Sequence, residues 1–112
     1  MDKDIDIIIY GATGFTGQLC VKYFQSLETP AKWAIAGRNQ EKLRKVAEEN
    51  LAEVEILIAD SDDEVALDNL TLRAKVILST AGPFHRYGSK LVASCVKNNT
   101  HYVEITGEYF WV

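Results

Sequence analysis

The 112-residue sequence holds only two cysteines and two prolines, and its lysines and arginines form no block. Cys20 and Cys95 stand far apart, with no C-x-x-C pair and no Cys/His cluster. That excludes a disulfide framework and a zinc site of the usual spacing. Both thiols fall in helix-like patterns and are expected to be buried and reduced. No stretch approaches the roughly 20 apolar residues of a membrane span. The first residues, Met1-Asp2-Lys3-Asp4, are polar and acidic, unlike a secretory leader. Without one, the N-x-T sequons at Asn69 and Asn98 read as chance. The net charge is -4 and the pI about 5.1, which argues against nucleic acid as a partner. G-x-x-x-x-G-K-[ST] and G-x-S-x-G are both missing, which excludes a P-loop NTPase and an α/β-hydrolase. What is there is ordinary globular composition, 47% hydrophobic and 25% charged.

Strand and helix patterns alternate along the chain. Ile5-Asp6-Ile7-Ile8-Ile9-Tyr10 is a near-continuous β-branched run, as in a strand buried in a parallel sheet. Glycines 11, 14 and 17 follow it. Phe15, Leu19, Cys20, Tyr23, Phe24 and Leu27 then recur at helical spacing, and Thr29-Pro30 ends that helix. A second strand, Trp33 to Ala36, is closed by Gly37. Asn39 is expected to cap a second helix with Leu43, Val46 and Ala47 facing inward. Val54 to Ala59 reads as a third strand. Ser61 and Glu64 make a capping-box pattern before a short third helix, with Asp62 and Asp63 favoured by its dipole. Lys75 to Ser79 is a fourth strand. Ser89 to Asn98 is a fourth helix burying Leu91, Val92, Cys95 and Val96, and His101 to Ile105 is a fifth strand. This order predicts an α/β fold: a Rossmann-like, doubly wound parallel sheet of five or more strands with helices on both faces. The closing aromatic run Tyr109-Phe110-Trp111-Val112 reads as the N-terminal fragment of a longer two-domain protein.

The strongest signal is Gly11-Ala12-Thr13-Gly14-Phe15-Thr16-Gly17, set between a strand and a helix. Gly11 permits the sharp exit from the strand. Gly14 lets a pyrophosphate approach the backbone, and Gly17 lets the helix pack closely. The helix N-terminus presents free N–H groups to the anion, and Thr13 and Thr16 can add hydroxyls. A glycine-rich turn that only packs the helix would not explain three glycines at three-residue spacing. An NAD site would usually place Asp or Glu about 20 residues past the glycines, for the ribose 2′-OH. Here that region reads Gly37-Arg38-Asn39, with no carboxylate. Arg38 suits a 2′-phosphate, so NADP is expected and NAD less so. Asp60, at the end of the third strand, suits a ribose or adenine edge, or else caps the next helix. Thr80, Ala81, Gly82 and Pro83 end the fourth strand with small residues, which would let a dinucleotide lie across the strand ends.

A Tyr with a Lys four residues on would mark a short-chain reductase, but Tyr87 and Lys90 are one residue too close. His101 starts a strand and reads as structural, whereas His85 lies in the loop that would face a nicotinamide. No residue here is assigned as catalytic and none as a metal ligand.

Four blocks carry a family resemblance: the glycine turn, Ala36-Gly37-Arg38, Ala81-Gly82-Pro83-Phe84 with Tyr87-Gly88, and His101-Tyr102-Val103-Glu104 with Thr106-Gly107-Glu108. Together they resemble the saccharopine dehydrogenase-like oxidoreductases, a group that includes the trans-acting enoyl reductases, over essentially the whole chain. The resemblance implies an N-terminal NADP(H)-binding domain and hydride transfer with a small-molecule substrate, lipid-linked in some members. It also implies a following domain that holds the substrate and often a homodimer interface. A cytoplasmic setting is expected, with peripheral membrane association of the full-length protein as a further option. Glu104 stands where the family commonly has Asp, so no role is carried over to it. The competing reading is a non-catalytic NADP(H)-binding sensor or scaffold module.

Overall fold

The computed structural model describes residues 3–28, 30–80 and 89–104. Its first strand, β1 (Ile5–Tyr10), is the β-branched run, and both of its neighbours are parallel to it. The chain then alternates: α1 (Phe15–Leu27), β2 (Trp33–Gly37), α2 (Gln40–Glu49), β3 (Glu55–Ile58), α3 (Glu64–Arg73), β4 (Ala74–Ser79), α4 (Ser89–Lys97) and β5 (His101–Glu104). The strands form one parallel sheet in the order β3-β2-β1-β4-β5. The order reverses between β1 and β4, which opens a crevice at their carboxyl ends.

The two-residue period of a strand sends alternate side chains to opposite faces. Ile9 packs with Val21, Ile35, Leu43 and Val46 beneath α1 and α2. Ile8 and Tyr10 pack with Leu67, Leu70, Leu91 and Cys95 beneath α3 and α4. Each fully buried Ile or Leu contributes about 1.5–3 kcal/mol relative to exposure, so both faces hold the sheet.

Several boundaries and faces differ from the sequence pattern. The helix α1 ends at Leu27 because Glu28 turns left-handed (φ 50), ahead of Pro30. Its inward face is Gly17 and Val21, with Cys20 and Phe24 half-buried, while Phe15, Leu19, Tyr23 and Leu27 point outward. Asp63, not Ser61, caps α3, its carboxylate accepting the Ala66 N–H at 3.1 Å. On α4, Val96 is exposed and Ser94 is buried in its place, because α3 offers Ser94 polar partners. The Ser94 hydroxyl lies 2.8 Å from Thr71 Oγ1 and donates to Asp68 Oδ1 at 2.5 Å. Asn39 caps α2 as expected, accepting from the Lys42 N–H at 3.1 Å. Cys95 is buried and Cys20 half-buried, and both are free thiols.

The amino ends of the strands are tied by charge. The Arg73 guanidinium donates to both oxygens of Asp4 (3.1 and 2.7 Å) and both of Glu55 (2.6 and 2.8 Å). Asp4 lies just before β1 and Glu55 opens β3, so one side chain joins three segments at the end of the sheet away from the crevice. Lys3 Nζ donates to Thr71 O at 2.6 Å, Thr100 Oγ1 at 2.8 Å and Asn98 O at 3.0 Å, where α3 and α4 end.

Candidate functional site

The glycine turn leaves β1 at the crevice. Gly11 sits at φ 84, the left-handed region that L side chains resist. Its N–H donates to Ala36 O at 2.9 Å, and its carbonyl accepts the Gly14 N–H at 3.1 Å. Thr80, the residue after β4, braces the turn from the other side. Its N–H donates to Tyr10 O at 2.9 Å, and its hydroxyl donates to Tyr10 O and Gly11 O, both at 3.0 Å. The turn is thereby held between β2 and β4 before any ligand arrives.

Gly17 is required by packing. A Cβ there would fall 2.7 Å from Ala12 Cα, so α1 could not lie against the turn. Gly14 is different. Its backbone is extended (φ -75, ψ 171), which any residue adopts, and a Cβ would meet only Gly11 O at 3.6 Å, ordinary contact. Nothing in the described fold demands glycine at 14. Its lack of a side chain leaves the backbone there open to close approach.

The N–H groups of Phe15, Thr16 and Gly17 have no acceptor among the described residues, nor do the Thr13 and Thr16 hydroxyls have partners there. The first turn of α1 carries no acidic side chain, so the positive end of its dipole is left uncompensated. Three open donors on a positive helix end, in front of an unshielded glycine, fit a pyrophosphate.

The adenosine side is framed by β2 and β3. Arg38 follows the last residue of β2, exposed, with no hydrogen bond or ion pair among the described residues. Asp60 lies two residues beyond β3. Its Oδ1 accepts the Asp62 N–H and its carbonyl accepts the Asp63 N–H, both at 3.0 Å, so it shapes the turn into α3 and keeps Oδ2 open. Tyr10 is legible in the sequence only as a strand residue, yet it links the two sides. Its phenol passes to β3 and donates to Ala59 O at 3.0 Å. Burial pushes this phenol up to about 12, the Asp60 carboxylate adding to the shift and Arg38 opposing it. The clue to its reach is a polar-tipped aromatic ending an aliphatic strand.

Of the expected site residues, Gly11, Thr13, Gly14, Phe15, Thr16, Gly17, Arg38, Asp60 and Thr80 all lie at the carboxyl ends of β1 to β4. Ala81, Gly82 and Pro83 lie outside the described residues, as do His85 and Tyr87. His101 opens β5 and is exposed. The described residues contain no group of three side chains able to hold a metal ion.

Residues 7–109 match the family model described as the saccharopine dehydrogenase NADP binding domain. The chain belongs to this family. The saccharopine dehydrogenase-like domain is an NADP-binding domain of an oxidoreductase family, and NADP is its cofactor. A trans-acting enoyl reductase of Mycobacterium tuberculosis is 40% identical over 110 residues, covering 96% of this chain and 26% of that protein. A lipid droplet localized protein of Caenorhabditis elegans is 34% identical over 116 residues, covering 96% of this chain and 27% of that protein. The chain thus spans about a quarter of the length of these relatives. The fold is shared with apo saccharopine dehydrogenase (L-Glu forming) of Saccharomyces cerevisiae, at a TM-score of 0.73 and 18% identity, covering 89% of this chain and 21% of that one. It is also shared with a short-chain dehydrogenase/reductase of Veillonella parvula in complex with NADP, at a TM-score of 0.71 and 16% identity, covering 89% of this chain and 46% of that one. No helix among the described residues is long and apolar enough to cross a membrane.

Proposed function

We propose that this domain holds NADP(H) for an oxidoreductase whose substrate is bound by a further domain of a longer protein. The observation that carries the reading is Gly14, a glycine the described fold does not need, facing three open N–H donors at the start of α1. In this reading Gly11, Thr13, Gly14, Phe15, Thr16 and Gly17 cradle the pyrophosphate. Arg38 holds the 2′-phosphate, and Asp60 takes the adenosine edge. Thr80 braces the turn, and Ala81, Gly82 and Pro83 line the way to the nicotinamide. When bound, the nicotinamide supplies a hydride, and a proton from an acid or water completes the reduction.

The further domain is supported by the outer face of α1. Phe15, Leu19 and Tyr23 are 80%, 50% and 61% exposed, an apolar stripe starting at the mouth of the site. The name of the mycobacterial relative supports an enoyl group, an unsaturated acyl group, as the substrate class. The name of the nematode relative supports peripheral lipid contact of the full-length protein, and in this reading any homodimer interface belongs to the further domain.

The Tyr10 phenol is buried and held by Ala59 O, so it is not a ready proton donor, and no other residue is assigned that role. The 112-residue chain is therefore expected to bind NADPH and to show no turnover with enoyl thioesters, ketones or imines. Steady substrate-dependent oxidation of NADPH by this chain would place the catalytic groups within it. Failure to bind NADPH in calorimetry would favour a domain without cofactor.

A further inference from the structure

Tyr10 ends a strand that runs as isoleucines from Ile7 to Ile9, and it is buried. Its phenol does not stop at the neighbouring strand. Tyr10 pairs with Ala36 of β2, and Ala36 pairs with Leu57 of β3. Ala34, Ala36 and Ala59 pack in one cluster with the ring, so small side chains leave it a path across β2. The hydroxyl then donates to Ala59 O at 3.0 Å, just past the end of β3. No backbone N–H among the described residues donates to that carbonyl. The other side of Ala59 is fixed as well, its N–H donating to Gly37 O at 2.8 Å. Asp60 comes next and is exposed. Its Oδ1 and its carbonyl accept the Asp62 and Asp63 N–H groups, both at 3.0 Å, and only Oδ2 of its oxygens has no partner among the described residues. Burial, and after it the Asp60 carboxylate, push the phenol up to about 12, so at neutral pH it remains a donor. A phenylalanine would fill the same slot. What the hydroxyl adds is a hold on the peptide that carries Asp60.

We infer that Tyr10 is a positioning residue for recognition of the base: its phenol holds the Ala59–Asp60 peptide so that Asp60 Oδ2 is presented to the 6-amino group of adenine. The inference rests on the NADP(H) reading that sets Asp60 at the adenosine edge. It adds to that reading a residue of β1 that acts through Asp60 and not on the ligand. An ionised carboxylate accepts and cannot donate, so a base with a carbonyl in place of the amino group is disfavoured there. Asparagine at 60 would keep its oxygen on the Asp62 N–H and turn its amide nitrogen, a donor, to the place of Oδ2.

Calorimetric titration of NADPH and of its hypoxanthine counterpart, which differs only by a carbonyl for the 6-amino group, tests this. Wild type should prefer NADPH by about tenfold, the worth of one hydrogen bond to a charged acceptor. Tyr10→Phe should weaken NADPH and leave the hypoxanthine dinucleotide within about twofold, so that the preference shrinks to about threefold or less. Asp60→Asn should reverse the preference, and Tyr10→Phe added to it should blunt that reversal, since the two residues act as one unit. Tyr10→4-aminophenylalanine returns an N–H donor to the same place and should restore the preference for adenine. A lower melting temperature in Tyr10→Phe with the ratio of affinities unchanged would reduce the phenol to a packing role and overturn the inference. Should Tyr10→Phe not fold, a folded 4-aminophenylalanine variant without the preference, or an Asp60→Asn chain that keeps it, overturns the inference equally. A wild type that binds both dinucleotides alike overturns it and leaves the cofactor reading intact. A wild type that binds neither removes both.

Discussion

Two glycines of the turn after β1 have opposite reasons for lacking a side chain, and substitution separates them. Gly17 is a packing glycine. A Cβ there would lie 2.7 Å from Ala12 Cα, so Gly17→Ala must push α1 off the turn. Overpacking of this kind costs about 1–3 kcal/mol, and thermal denaturation should register it as a clear fall in melting temperature. Gly14 is read as a ligand glycine, with room where its side chain would stand. Gly14→Val should leave far-UV circular dichroism and melting temperature near wild type and abolish NADPH binding. Retained affinity in the folded Gly14→Val variant would reassign this glycine to the fold. The sequence spacing makes both positions visible, and only the atoms packed around each divide them into these two roles. Thr80 is legible as a small residue near the cofactor. Its work in bracing Tyr10 O and Gly11 O is not, because it depends on β4 lying beside β1.

Among the elements, the linear pattern locates the strands and helices of the described residues, and two of the details it misplaces share a reason. The Ser61–Glu64 spacing fits a capping box, yet Asp60 first closes a turn with Asp62 and Asp63, so α3 starts later and Asp63 takes the cap. Asp63→Ala should therefore cost about 1 kcal/mol in chemical denaturation, while Ser61→Ala should stay within about 0.5 kcal/mol. The reverse order of effects would restore the capping-box reading. The apolar pattern of α4 predicts a buried Val96, and the helix instead turns Ser94 inward toward Asp68 and Thr71. In both cases a polar interaction outcompetes the linear pattern, and its geometry is set by folded neighbours that the linear spacing does not show.

Across the whole molecule, charge is divided between the two ends of the sheet. At the carboxyl ends Arg38 stands without a partner among the described residues, while Lys90 there pairs with Asp62. The amino ends hold Arg73 between Asp4 and Glu55. Hydrogen bonds from Arg73 lower Asp4 from 3.8 to about 2 and also lower Glu55 from its ordinary 4.5. Groups with depressed folded values stabilise the fold fully above their unfolded values and lose that contribution as pH falls toward the folded ones. Stability should then decline from about pH 4.5 down to about pH 2 in part through this cluster. Arg73→Gln should flatten the decline in urea midpoints across that window and leave NADPH affinity at neutral pH unchanged. An equally steep decline in the variant would assign acid sensitivity elsewhere.

The crevice as a whole is read as fitting a 2′-phosphorylated dinucleotide, and Arg38 is the side chain on which that fit turns. An exposed guanidinium on a phosphate contributes roughly 1.5 kcal/mol, or about tenfold in affinity. Calorimetric titration of NADPH and NADH into wild type and Arg38→Ala should give a wild type preferring NADPH by on the order of tenfold. The variant should lose that preference while its NADH affinity holds. Equal losses for both cofactors would mean that Arg38 acts through the fold or the adenine, and a wild type that favours NADH would refute the fit to a 2′-phosphate.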